Sequence, residues 1–149
     1  MAQSNLSKKL LIKPGYRVVI LNAPPDYSTQ LDELPDGVTL AQHAEGHADV
    51  VHLFAANKAE VDQWGPTAIN TVKPGGILWI SYRKSVPKGE ARTLHRDVGW
   101  ETIYQAGWEG VSLIAVDDTW AAMRFRPSAE VKSSSSRRAK MADAMKKEE

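Results

Sequence analysis

The stretch RKSVPKGEARTLHR at residues 83–96 carries Arg83, Lys84, Lys88, Arg92 and Arg96 with His95, against Glu90 alone. Cationic donors at this density suit a phosphate or carboxylate. Arg83, Lys84 and Arg96 are the residues expected to hold such an anion. The plainer reading is a solvated basic loop in which Asp97 pairs locally. A second cluster, His43-Ala44-Glu45-Gly46-His47, places two imidazoles four apart with a carboxylate between them. In the zinc-peptidase pattern the glutamate directly follows the first histidine, so that it reaches the metal-bound water. Here it is displaced by one and Gly46 weakens any helix. Even with His52 or Asp49 as a third ligand, the segment reads as a polar loop, and no metal is expected.

His52 lies in an otherwise apolar run, where a hydrogen-bonded core histidine is favoured over a general base. Asp117-Asp118 could pair for acid–base work, but Asp-Asp-Thr between two strands is ordinary turn chemistry. Trp79, Trp100, Trp108 and Trp120 read as core or pocket walls. No Ser-His-Asp arrangement or phosphate-binding P-loop occurs, and no catalytic residue is assigned.

The elements that must position these groups come from composition and pattern. A chain of 149 residues, 42% hydrophobic, suits one domain with a tail. No window approaches the ~20 apolar residues of a membrane span, and the first residues lack the apolar segment of a secretory signal. The absence of cysteine removes disulfides and thiolate chemistry and fits the cytoplasm. Net charge is +1, which gives no global attraction to nucleic acid or anionic membrane. Residues 1–127 balance at −1 and residues 128–149 at +2. That tail, SAEVKSSSSRRAKMADAMKKEE, is serine-rich and poor in bulky apolar groups, and is expected to be disordered. Arg137, Arg138 and Lys140 leave a nucleic-acid role open, though a solvated tail is the reading adopted.

Leu6, Leu10 and Leu11 predict a short helix over 6–12, stopped by Pro14-Gly15. Arg17–Leu21 predicts a strand buried on both faces, residues 30–34 one helical turn, and residues 38–41 a short second strand. DVVHLF at 49–54 is a third strand. Asn57 caps the following helix with Glu60 at its third position. Gly65-Pro66 is expected to interrupt that helix, with Pro66 opening a second segment to Val72. Lys73-Pro74-Gly75-Gly76 turns into the strand ILWISY at 77–82. Thr93 or Asp97 caps a helix predicted through Ala106. The strands at 110–116 and 120–126, joined at Asp117-Asp118-Thr119, form an antiparallel hairpin. Alternating strands and helices imply an α/β fold: a three-layer Rossmann-like sandwich, mostly parallel, with a C-terminal antiparallel hairpin strand.

IKPGYRVVIL, ADVVHLF and TVKPGGILWIS resemble the first, fourth and fifth strands of class I S-adenosylmethionine-dependent methyltransferases, and the closing hairpin resembles their antiparallel last pair. The match covers roughly residues 8–126 and implies a truncated form of that fold. LSKKLLIKPGYRVVILNAP, DVVHLF, PGGILWISY and IAVDDTWAAMRFRP further resemble a small bacterial domain family of unknown function, which implies no activity. In the methyltransferases a glycine-rich loop after the first strand approaches the cofactor's methionine part. Such approach needs residues without Cβ and with free N–H groups. This chain has Asn22-Ala23-Pro24-Pro25 there, and two prolines remove two donors. The acidic residue that holds the ribose has only Glu45 as a nearby candidate.

The expected function is therefore a non-catalytic binding or regulatory domain with no cofactor, taking at most a small anionic ligand, with no membrane or nucleic-acid partner. The alternative is a minimal S-adenosylmethionine-dependent methyltransferase or nucleotide-binding enzyme. Its cleft would lie between the strands at 17–21 and 49–54, lined by Asn22, Pro24, Asn57 and Ser81.

Overall fold

The computed structural model describes residues 6–24, 34–43, 46–86, 88–89, 92–96 and 98–128. The helical turn expected at 30–34 falls almost wholly outside these residues, as do Glu45, Glu90, Asp97 and the tail beyond residue 128.

The chain runs α1 (Leu6–Lys9), β1 (Arg17–Leu21), β2 (Thr39–Ala41), β3 (Ala48–Phe54), α2 (Lys58–Thr71), β4 (Val72–Arg83), α3 (Glu101–Gln105), β5 (Trp108–Ala115) and β6 (Trp120–Pro127). These strands form one six-stranded sheet in the order β2-β1-β3-β4-β6-β5. β2, β1, β3 and β4 pair in parallel, whereas β6 lies antiparallel to both β4 and β5. This is the three-layer α/β arrangement expected, with its antiparallel final pair.

Two cores sit on the two faces of the sheet. Val19, Leu21, Val51, Leu53, Leu78, Ile80, Met123 and Phe125 pack under Val61 and Ala68 of α2 and Ile103 of α3. On the other face Val18, Ile20, Val50, Phe54 and Trp79 pack under Leu6 and Leu10. Alternation of side chains across each strand delivers residues to both. Trp79 Nε1 donates to the Leu10 carbonyl at 2.9 Å, which fixes the end of α1 to the middle of β4.

Four local expectations need correction. α1 ends before Pro14-Gly15, because Leu11 adopts a left-handed φ of 64°. α2 is continuous through Pro66. A proline inside a helix costs ~3 kcal/mol or more, but Val61, Gly65 and Ala68 form one buried face across it, and this packing holds both halves on one axis. Gly65 lies close against Ile103, where an added Cβ would meet Ile103 Cδ1 at 2.9 Å. Lys73–Gly76 is not a turn preceding a strand but an excursion within β4. Pairing passes from Ala48↔Val72 to Val50↔Ile77, with Gly75 at a φ of 78°.

Finally, the helix expected to begin at Thr93 or Asp97 is confined to Glu101–Gln105, and no side chain caps it. Gly99, at a φ of 101°, breaks the helical path. Thr93 Oγ1 accepts instead from Lys58 N at 3.1 Å, so it serves α2 rather than a helix of its own. A Cβ at Gly99 would lie 2.6 Å from the Thr93 carbonyl. Gly99→Ala is therefore expected to destabilise the fold by about 1–3 kcal/mol in denaturant unfolding.

His52 is 1% exposed within β3. Its Nε2 lies 2.5 Å from Ser81 Oγ, and its ring stacks on Phe54 at a centroid distance of 4.3 Å. Burial lowers its pKa to about 3 from 6.5. The folded chain thus holds His52 neutral while the unfolded chain takes up a proton below about pH 6.5. This contribution to stability is complete above that pH and is lost as pH falls toward 3. Between about pH 6 and pH 4, wild-type unfolding free energy should fall more steeply than that of His52→Gln, by roughly 1.4 kcal/mol per pH unit. Equal slopes in urea titrations would contradict a buried neutral imidazole.

Candidate functional site

β2 and β3 lie on opposite sides of β1, so the order of the sheet reverses there. In open α/β sheets the crevice beyond the carboxyl ends of the strands at such a point is where ligands bind. β1 delivers Asn22 to this corner in the left-handed conformation, at a φ of 57°. Asparagine is among the few side chains that accept this region. Asn22 Nδ2 donates to the Phe54 carbonyl at 2.9 Å and to Glu60 Oε1 at 3.0 Å. Glu60 Oε1 also accepts from Ala56 N at 2.8 Å, and Asn57 Oδ1 accepts from Glu60 N at 3.0 Å. The amide of Asn22 therefore spans the gap from β1 to the end of β3 and the start of α2.

The four residues expected to line this cleft separate by role. Asn22 and Asn57 are both at the corner, but their side chains bind the protein's own backbone and Glu60. Pro24 follows, half-buried. Ser81 is not at the surface of the cleft: it is fully buried with its hydroxyl on His52, because it stands in β4 opposite Phe54 of β3. Glu60 was legible only as a helix-capping residue, and its bond to Asn22 crosses 38 positions.

A cleft of about 490 Å³ opens beside the corner, with Asn57, Lys58, Asp62, Arg83, Val86 and Thr93 in its wall. Lys58 Nζ donates to Asp62 Oδ2 at 2.8 Å. That hydrogen bond raises the Lys58 pKa and lowers that of Asp62, which also accepts from Thr102 Oγ1 at 2.6 Å. Arg83 is the second cation in this wall.

A second cleft, of about 520 Å³, is lined by Tyr82, Arg92, His95, Arg96 and Leu113. The three expected anion-binding residues are thus not one constellation. Arg83 and Arg96 line different clefts, and Lys84 lines neither. The backbone of Lys84 is held to the hairpin turn by a 2.8 Å bond from its N–H to the Thr119 carbonyl.

The carboxylates of Asp49 and Asp117 have partners within the protein. Among the described residues no three metal-ligating side chains come together. Asp49 accepts from Arg17 N at 2.8 Å and pairs with Lys73. Asp117 Oδ1 accepts from Thr119 N and Trp120 N, both at 2.8 Å, and closes the hairpin turn. Trp79 and Trp100 are core residues, whereas Trp108 and Trp120 are half-buried against the two cores. Among the described residues no helix is long and apolar enough to cross a membrane.

No protein-family profile matches the chain, and no curated protein matches it. Solved structures do. DhpI in its complex with SAH shares 15% identity over 83% of this chain and 82% of that chain, with a TM-score of 0.52. A SAM-dependent methyltransferase from Geobacter sulfurreducens, solved with S-adenosyl-L-homocysteine, shares 11% identity over 85% of this chain and 92% of the other, at 0.50. The tRNA methyltransferase TrmK of B. subtilis shares 10% identity over 85% and 67%, also at 0.50.

The described residues at the corner of this chain differ from the glycine-rich loop and ribose-binding acid that the resemblance implies. Asn22 carries a Cβ and a side chain that crosses the crevice, and Pro24 offers no N–H. β2 ends at Ala41 and is followed by Gln42 and His43, so no carboxylate is present there among the described residues. What the chain shares with these proteins is the frame: it has a Rossmann-like, methyltransferase-like α/β fold.

Proposed function

We propose that this chain is a non-catalytic binding domain that keeps the methyltransferase-like frame, closes its cofactor corner and takes a small anionic ligand in the adjoining cleft. The observation that carries this reading is the Asn22 amide, bonded to both the Phe54 carbonyl and Glu60 across the crevice. Its two bonds hold shut the place where a cofactor's backbone contacts would form. The cleft at Arg83, Lys58 and Thr93 lies just outside, beyond the carboxyl end of β4, and a guanidinium there suits a phosphate or carboxylate.

A second reading, a minimal S-adenosylmethionine-dependent enzyme, is favoured by neighbours solved with that cofactor or its homocysteine product. It requires the bonds from Asn22 to open. Calorimetric titration with S-adenosylmethionine, S-adenosylhomocysteine, pyrophosphate and common nucleotides separates the two. The binding reading expects no heat from the adenosyl compounds. It expects binding of pyrophosphate or a nucleotide that Arg83→Gln weakens by roughly tenfold, the scale of one charge-assisted contact. Micromolar binding of S-adenosylmethionine would favour the enzyme instead.

A further inference from the structure

The second cleft is built on a loop that a merely solvated basic run would not need. Leu94 is 2% exposed and Trp100 is fully buried, so the loop is pinned at both ends in the core shared with α2 and α3. Trp100 Nε1 donates to the His95 carbonyl at 2.9 Å and to the Arg96 carbonyl at 3.1 Å. His95 and Val98 exchange backbone hydrogen bonds of 3.0 and 3.2 Å. Arg92 Nη2 donates to the Arg83 carbonyl at 3.3 Å. The backbone carbonyls of His95 and Arg96 are thus held by Trp100, and the Arg92 side chain is held to β4, which cuts the ordering cost of binding.

The opposite wall has different chemistry. Tyr82 is 5% exposed and packs edge-on against Trp100, with ring centroids 6.0 Å apart. Leu113 of β5 is left 44% exposed at the rim of the same cleft. One wall thus presents two guanidinium groups and an imidazole, and the other presents apolar surface. A phosphate monoester carries more negative charge than a carboxylate and has three terminal oxygens rather than two, so it gains more from two guanidinium groups.

We propose that the cleft between Arg92, His95, Arg96 and Leu113 binds a phosphate monoester with an apolar body, with the phosphate on the two guanidinium groups and the body against Leu113 and Tyr82. This site is separate from the Arg83 cleft and does not depend on the reading given for it.

The probe is phenyl phosphate, compared with inorganic phosphate and benzoate, followed by calorimetry and by amide chemical shifts in the full chain. Phenyl phosphate should bind roughly tenfold or more tightly than inorganic phosphate, the gain expected from burying an aromatic ring. It should also bind more tightly than benzoate. Arg92→Gln with Arg96→Gln should weaken it by roughly tenfold or more, and Leu113→Ser should bring it toward inorganic phosphate. Arg83→Gln should leave it unchanged. Arg92, Arg96 and Leu113 are exposed and Arg83 is half-buried, and far-UV circular dichroism checks that each variant folds.

Equal affinity for phenyl phosphate and inorganic phosphate would overturn the proposal, as would undiminished binding by the double arginine variant. No binding by wild type would do the same. Tighter benzoate would replace the phosphate ester with a carboxylate and sink the assignment. Loss of binding in Arg83→Gln alone would move the ligand to the first cleft, leaving that reading standing and removing this one.

Discussion

Burial of β3 and β4 on both faces is the constraint from which the rest of this structure follows. Val50, Val51, Leu53, Leu78 and Ile80 are wholly buried, and burying an aliphatic side chain of this size contributes about 1.5–3 kcal/mol. Strands sealed on both sides require cover on both sides, which α2 and α3 supply on one face and α1 on the other. They also leave no water for polar side chains. His52 and Ser81 stand in adjacent central strands and satisfy each other. The same demand explains the Trp79 bond to the Leu10 carbonyl, which ties the first helix to the middle of the sheet.

The polar groups around the carboxyl ends of the strands follow the same rule of internal satisfaction. Asn22, Asn57, Glu60 and the amides of Ala56 and Lys58 form a chain of contacts with one another and with Thr93. They knit β1, β3, α2 and the loop after β4 together. Arg83, Arg92 and Arg96 line the two clefts on either side of this network.

Much of the frame was legible because apolar runs such as Val18–Leu21 and Ile77–Tyr82 have few alternatives to a two-sided strand. The closing hairpin was legible from the alternation of Met123 and Phe125 with Arg124 and Arg126, and the Asp117 turn from its composition. Asn22 was visible as the point where the chain departs from a nucleotide-binding loop. Its partners were not, because a hydrogen bond to Glu60 spans 38 positions and leaves no local pattern. Local rules misled at Pro66, where packing on both sides of the residue outweighs its helix-breaking tendency. They misled again at residues 93–100, where a capping threonine serves a distant helix and Gly99 breaks the path. The basic run could not reveal that Arg83 and Arg96 line different clefts, since that division depends on packing with elements distant in sequence, such as Leu113 of β5 and Asp62 of α2.

The irregular pairing of β5 with β6 bears on how the molecule behaves at high concentration. β5 forms one rim of the sheet and β2 the other. A long, regular rim offers unpaired backbone groups on which another chain can continue the ladder. β2 is three residues long, too short for a stable added strand. β5 has eight residues, but its register shifts between Gly110 and Ser112, which breaks the repeat that an incoming strand would copy. Both rims of this sheet therefore resist self-templated growth.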